Sequence, residues 1–528
     1  MQSRFKIISA ILAMALAEPC LAQSPQPWSA LAARAIETDP PSASWDTETG
    51  LRLLALEAEW YNTAEGSYFA YAKNSVDTLL SKPDPAKTAA GSHLASALFG
   101  QQLMLLYRAT RDPRYFQAAR RLRADAPSPT APDRSIDLAW TAVSIVDALD
   151  SYPAGDPSRS QALAIFRKAA TQLARTPAGS NPTSTWLSTY ALLKGVRLGY
   201  LSPAFRASAL GAWRSSLSRY VHVDAAGHLA ISPAASGHQA PGNLPSASLG
   251  AFLLASTEVD LAPDSRAGHG AVVLLDAWFN SQQRKNAAGQ LEPYHYKWTD
   301  FSDSGYSLFG HMLRSRGLKT QTLPAAPTAE NLRNASYYLI VSPDIPVKNP
   351  KPNYMTNADA DAIVAWVRRG GVLILMENDP PNADIEHLNL LADRFGIHFD
   401  NVLHHHVLGD RVHGDHVEDG TIPVAGGGPL FHRQHTLYMK DTCAISLSGS
   451  ATALLRDRGD VVMATAHYGR GTVFANVDPW LYNEYTDGRN NPAVYNQFDN
   501  FAGGKELVRW LVEQHSQSPA PPKKETHP

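Results

Sequence analysis

Carboxylates, amides and aromatic rings gather at a few points in the second half of the chain. They are Asp276 with Asn280, Asp344, Asn378 with Asp379, and the run Asp478-Pro479-Trp480-Leu481-Tyr482-Asn483-Glu484. The segment HYKWTDFSDSGYS, residues 295–307, adds His295, Trp298, Asp300 and Tyr306. Rings beside carboxylates and amides suit sugar recognition, because a ring stacks on a pyranose face and polar groups take its hydroxyls. The candidate carbohydrate residues here are Trp298, Asp300, Asn378, Asp379, Asp478, Trp480, Tyr482 and Asn483; the competing reading makes them strand-end caps and turn formers. A second cluster, His404-His405-His406 with His413, Asp415 and His416, has zinc-binding side chains. In a strand, however, His404 and His406 face one side and His405 the other. Glycines and charges around them indicate an exposed hairpin, so no metal site and no cofactor is expected.

The elements that must carry these residues alternate between strand and helix. AVVLLD reads as a buried strand, SGYSLFGHMLRSRGL as a helix, SYYLIVSPD as a strand, and NADADAIVAWVRRGG as a helix with Asn357 as N-cap. VLILMEND is a further strand, and IEHLNLLADRFGIHF a helix. VVMATAHYGRGTVFANVD is a hairpin around Gly469-Arg470-Gly471, and GGKELVRWLVEQ closes the chain as a helix. All-apolar strands alternating with helices predict a parallel α/β sheet. Ligands of such sheets bind at the C-terminal strand ends, where the polar residues above fall.

The chain has 528 residues, too many for one ordinary domain. Net charge is −2 and no long basic run occurs, so nucleic acid is not an expected partner. Residues 1–23 read as a secretory signal, with Arg4 and Lys6, then the apolar run Ile7–Ala17, then small residues ending near Ala22. Export to the periplasm or medium is expected, with no membrane span. Cys20 lies in that signal; Cys443 is then the one cysteine left, which excludes an intrachain disulfide. The expected organisation is a signal (1–23), a linker (24–44), a helical domain (45–262), an α/β domain (267–515) and a Pro- and Lys-rich disordered tail (516–528).

The first half is helical. In WLSTYALLKGVRLGYLSPAFRASALGAWRSSL, Trp186, Tyr190, Leu193, Val196 and Arg197 recur at three- and four-residue steps. Gly199 is placed to end that helix and Ser202-Pro203 to open the next. YALLKGVRLGYL followed by a helix with GAW resembles the closing block of glycoside hydrolase families 88 and 105, the unsaturated uronyl hydrolases. SWDTETGL resembles their first block, with Thr47 where an aromatic is usual, and SLGAFLLASTEVDL resembles their last helix. The resemblance covers about 210 residues. It implies an all-α six-hairpin toroid. Since a helix of about 15–18 residues plus its loop takes roughly 20–22 residues, the stretch holds nine or ten helices and is short by one or two hairpins. The second half resembles a class I glutamine-amidotransferase-like, flavodoxin-like domain. The turn after VLILMEND lacks the cysteine that amidotransfer needs, and no G-x-S-x-G elbow marks an esterase.

What the resemblance implies chemically is hydration of a 4,5-unsaturated uronic acid at the end of a pectin-like oligosaccharide. A carboxyl group protonates C4 and water adds at C5. Carboxylates of the helical half near the expected pocket are Asp46, Glu48, Asp133 and Asp137; Asp46 and Glu48 also read as helix N-terminal charges. A carboxylate that the family uses falls on Ala95. Two registers remain for DRSIDLAW: in one Asp137 is the catalytic acid; in the other Trp140 is a sugar-site aromatic and Ile136 replaces a substrate-binding arginine. Trp45, Trp140 and Trp186 are the candidate sugar-stacking rings of this half. Two functions stay open, an exported uronyl hydrolase and a catalytically degenerate carbohydrate-binding or scaffold protein.

Overall fold

The computed structural model describes residues 27–40, 44–82, 93–125, 138–149, 152, 156–175, 181–231, 247–380, 382–404, 406–408, 416–484, 489 and 497–517. The leader-like segment, Asp137, Ile136 and most of the tail lie outside the described residues, as do His405, His413 and Asp415 of the histidine cluster.

The first half is built from helices: α1 (Trp28–Glu37), α2 (Thr47–Thr63), α3 (Gly66–Leu80), α4 (His93–Thr110), α5 (Pro113–Asp125), α6 (Leu138–Ala148), α7 (Pro157–Leu173), α8 (Pro182–Arg197), α9 (Ala204–Tyr220) and α10 (Ala247–Leu261). A small hairpin, β1 (Val221–Val223) with β2 (Leu229–Ile231), follows α9. Local chemistry sets the helix ends. Asp46 caps α2 by accepting from the Thr49 amide at 2.7 Å. Asn181 caps α8, with Pro182 in its first turn. Gly199 ends α8 at φ +74°, where Tyr200 N–H returns to Gly195 O at 2.8 Å.

Packing sorts these helices into pairs of one inner and one outer member: α2 with α3, α4 with α5, α6 with α7, α8 with α9, and α10 with α1. The inner helices pack side by side in the order α4, α2, α10, α8, α6, while α4 and α6 make at most slight contact. The described residues thus hold five helical pairs around a centre, one fewer than the six hairpins that the resemblance implies. Gly250 allows a close seam: a Cβ there would stand 2.9 Å from the Arg52 nitrogen, so α10 and α2 meet backbone to backbone.

The second half centres on a nine-stranded sheet. Its strands are β3 (Val272–Asp276), β6 (Lys319–Leu323), β7 (Tyr337–Val341), β8 (Val372–Met376), β9 (Ile397–His404), β12 (Thr442–Leu447), β13 (Thr452–Asp457), β14 (Asp460–Tyr468) and β15 (Gly471–Asn476). The order is β6-β3-β7-β8-β15-β14-β12-β9, with β13 on β14. Two small hairpins, β4 (Gln283–Lys285) with β5 (Leu291–Pro293) and β10 (Thr421–Val424) with β11 (His435–Tyr438), lie outside it. The sheet is mixed, so the expectation of a parallel sheet holds for part of it. β6, β3, β7, β8 and β15 are parallel, and β14, β12, β9 and β13 add an antiparallel extension. β7, β8 and β15 are buried along their whole length, as strands covered on both faces must be. Helices α11 (Ser307–Ser315), α12 (Asn357–Arg368), α13 (Ile385–Ala392) and α14 (Asn500–Gln517) accompany the sheet. Asn357 is the first residue of α12, not its cap. Thr356 caps it, in a reciprocal capping box with Asp359.

Each half has its own apolar core. They are joined by α11, whose Leu308 is buried among the helical residues. Lys505 of α14 donates to the Asn62 carbonyl at 2.6 Å, and Arg111 pairs with Glu292 at 2.7 Å. No described helix is long and apolar enough to cross a membrane.

Candidate functional site

The inner faces of α2, α4, α6, α8 and α10 surround a cavity of about 540 Å³, and α11 of the second half forms part of its wall. On α2 the lining residues Leu54, Glu57, Ala58 and Tyr61 follow the three- and four-residue steps of one helical face. Glu57 is therefore a carboxylate placed on an otherwise apolar stripe. Its Oε2 accepts from Gln102 Nε2 at 2.8 Å. Burial pushes its carboxyl up to about 7, and the Asp147 charge pushes the same way; the Gln102 bond and the cations Lys194 and Arg108 only partly oppose this. A carboxyl group titrating there can hold a proton at neutral pH and release it.

Asp147, from α6, is held differently. It accepts from Tyr190 Oη at 2.8 Å and from Lys194 Nζ at 2.7 Å, and Lys194 Nζ also donates to Tyr190 Oη at 2.7 Å. Tyr190 and Lys194 are one turn apart on α8, so one helix face supplies both partners. Burial, with Asp147 next, raises the Tyr190 phenol well above its ordinary range, which keeps it a neutral donor. Deeper still, Arg197 forks onto Glu258 with bonds of 2.8 and 2.5 Å, both side chains 4% exposed. That pair is structural, since both charges are spent on each other. At the rim, exposed Arg108 lies over the Phe301 ring, 5.4 Å from its centroid, and half-buried Trp140 lines the wall.

Of the described sequence candidates in the helical half, Trp140 alone lines the cavity; Asp133 and Asp137 lie outside the described residues. Trp45 and Trp186 are corrected to core residues. Trp45 is 3% exposed with Nε1 on the Ala95 carbonyl, and Trp186 is fully buried with Nε1 on Ser216 Oγ. Their rings fill helix–helix seams and cannot stack on a sugar. Ala95, too, is a core residue.

The strand-end residues of the α/β half do converge. Val341, Met376 and Asn476 are in register, so the turns after β7, β8 and β15 leave one edge together. Their polar groups, however, are consumed by the backbone and by one another. Asp300 accepts from His295 N–H and from Arg284 Nη2; Asp478 accepts from Lys440 N–H and Trp480 N–H. Asp379 is bound by Asn382, Asn378 Oδ1 takes the Asp379 amide, and Trp298 Nε1 donates to the Gln321 carbonyl. Tyr482 is buried in a stack with Phe309, and Asn483 is 2% exposed; Trp480 is partly buried against the core. The sugar-binding expectation for Trp298, Asp300, Asn378, Asp379, Asp478, Trp480, Tyr482 and Asn483 gives way to caps and packing. Burial drives the carboxyls of Glu377 up to about 8 and of Asp478 up to about 7, as unsolvated strand-end acids should behave.

No group of described residues is arranged to hold a metal ion. His404 lies against Asp460 and Asp457, His406 against Asp441, and His416 against Glu418, so the described histidines are divided among separate carboxylates. Glu377-Asn378-Asp379 follow β8. Cys443 is a buried free thiol on β12, driven well above its ordinary range by burial, and offers no nucleophile for amidotransfer.

Residues 300–493 match the family described as Domain of unknown function (DUF4350). That match starts beside Phe301 and contains all of α11. No curated protein matches the chain. Among solved structures the chain is similar to a glycoside hydrolase from family 105 of C. acetobutylicum ATCC 824, at 16% identity and a TM-score of 0.36, over 44% of this chain and 99% of that one. It is similar to glycosyl hydrolase family 88 from Bacteroides vulgatus, at 15% identity and a TM-score of 0.30, over 44% and 99%. It is also similar to the mmIFT52 N-terminal domain, at 14% identity and a TM-score of 0.34, over 46% and 97%. Likeness at this level carries no argument of its own, and the functional reading rests on the cavity.

Sequence reasoning passed over Glu57, Asp147, Lys194 and Arg108. One signal was available: Glu57 interrupts the apolar face of LRLLALEAEW, and a lone carboxylate on such a face asks for a partner.

Proposed function

We propose that this chain is an exported, glycoside-hydrolase-like protein that takes an unsaturated uronyl oligosaccharide into the helical cavity and hydrates its 4,5 double bond. One observation carries the reading: a carboxyl group, Glu57, poised near neutrality beside Lys194 and Arg108 in a cavity large enough for a sugar ring. Glu57 gives its proton to C4 and a water oxygen bonds to C5. The water's spare proton returns to the Glu57 carboxylate, and the resulting hemiketal opens and releases the next sugar. Arg108 at the rim is suited to the uronate carboxylate, and Trp140 to a sugar face. Asp137, favoured by one register of the resemblance, is the alternative acid. The leader-like residues 1–23 support export. The parallel strand order β6-β3-β7-β8-β15, which is 2-1-3-4-5 among those strands, supports a flavodoxin-like reading of the second half.

The test is loss of the conjugated-uronate absorbance when the purified protein meets unsaturated digalacturonate. Turnover that disappears in Glu57→Gln while folding is retained supports the assignment; undiminished turnover removes Glu57 from it. A second reading, a binding protein that has lost catalysis, is favoured by the full engagement of Asp147 with Lys194 and Tyr190 and by Ala95 in the core. Binding of the same disaccharide without any absorbance loss selects it.

A further inference from the structure

The cavity wall contributed by the α/β half is chemically specific. Ser307, His311 and Arg314 lie four and three residues apart on α11, on one face, and all three line the cavity. The His311 ring packs on Tyr61 with centroids 5.3 Å apart, and its Nε2 stands 2.7 Å from Asn62 Oδ1. Asn62 Nδ2 donates to the Thr257 carbonyl, which leaves Asn62 Oδ1 as the acceptor of the pair. His311 Nε2 must then carry the proton. Burial, followed by Arg197, Arg314, Lys194 and Lys505, holds the imidazole well below its ordinary titration range, so it is neutral. Nδ1 therefore presents a bare lone pair. It has no hydrogen-bond partner among the described residues, and it is not one of the sealed, unpartnered atoms of the interior. The ring that carries it lines the cavity.

We propose that His311 is a ligand-binding residue of this cavity, its Nδ1 accepting a hydrogen bond from a sugar hydroxyl, so that the two halves of the chain build one site. The identity of the ligand rests on the function proposed above; the role of His311 rests on its own geometry. The α/β half then acts as a wall of the helical pocket, set against the C-terminal ends of α2 and α8.

The experiment uses the full chain in a Glu57→Gln background, so that unsaturated digalacturonate is bound and not consumed. Calorimetric titration of His311→Leu in that background is expected to show at least about tenfold weaker binding, and His311→Gln, which keeps an acceptor oxygen, a loss of no more than about threefold. Unchanged affinity in His311→Leu overturns the proposal. Lys505→Met removes an interdomain bond, that from Lys505 Nζ to the Asn62 carbonyl, and keeps the His311–Asn62 pair, so it should lower Tm with little change in affinity. Equal loss of affinity in Lys505→Met and His311→Leu makes His311 a structural link and also overturns it. A second readout needs no sugar. In protein labelled with ¹⁵N-histidine, the signal lost in His311→Gln should show a protonated Nε2 and an unprotonated Nδ1 at neutral pH; the opposite tautomer or a charged ring sinks the proposal whatever the binding. The expected tautomer with no binding of the disaccharide sinks the substrate reading and leaves the Nδ1 assignment standing.

Discussion

Lys194 Nζ lies 2.7 Å from Asp147 Oδ1, while Glu57, in the same cavity, is held through Oε2 by the neutral Gln102 amide. Two acids of one pocket are thereby set to different tasks. Asp147 is neutralised by an ammonium and a phenol and shapes the wall. Glu57, held by a neutral amide, is left to exchange a proton.

Glu57→Gln should reduce any hydration activity by about 10²–10⁴-fold, the usual worth of a positioned acid–base group. In the wild type, activity that needs the protonated carboxyl should decline as pH rises through about 7. A rate profile flat across neutrality would remove Glu57 as the acid.

The same carboxyl shapes stability. Its folded pKa, about 7, exceeds the ordinary 4.5. Between those values the folded chain holds a proton that the unfolded chain has released, so this contribution is full below 4.5 and is lost as pH rises to 7. Glu57→Gln should therefore gain stability relative to wild type as pH rises from 4.5 to 7. Denaturant titrations at both ends of that window measure it, and a constant difference would contradict the raised pKa.

Glu258→Gln leaves Arg197 charged and buried without its partner, and should cost about 3–5 kcal/mol. Replacing both, Arg197→Met with Glu258→Leu, should cost less than the single change, because no charge is stranded. Thermal unfolding of the three variants tests the order; a milder single variant would show that water reaches the pair.

Trp186→Ala should destabilise by about 3–5 kcal/mol through the cavity it leaves in the core, with no direct effect on ligand affinity. Trp140→Ala should do the reverse, weakening disaccharide binding with a small change in Tm. Parallel losses of affinity and stability in both variants would mean that Trp140, too, is only a packing residue.

Much of the architecture was legible from local pattern. The face of α8 and its Gly199 stop, the apolar strands β7 and β8, and the β14–β15 hairpin all follow from periods and turn residues that neighbouring positions set by themselves. The site was not legible in the same way. Strand ends rich in Asp and Asn looked like a ligand edge, but whether the second oxygen of Asp478 serves a ligand or the amide of Lys440 depends on where the turn before β12 passes, and no local pattern encodes that. Trp45 and Trp186 looked like stacking rings because a helical sequence shows which residues share a face, not whether that face meets another helix or a cavity.

The sequence by itself determined a helical half, an α/β half and the polar residues that each strand end would carry, because these depend on contacts within a few residues. Tertiary structure alone decided that Glu57, Asp147 and Lys194 converge, that β12, β9 and β13 extend the sheet beyond the β14–β15 hairpin, and that His311 crosses from one half to the other. Those outcomes depend on which distant surfaces exclude water together, and burial of that kind is what sets the carboxyl of Glu57 near 7.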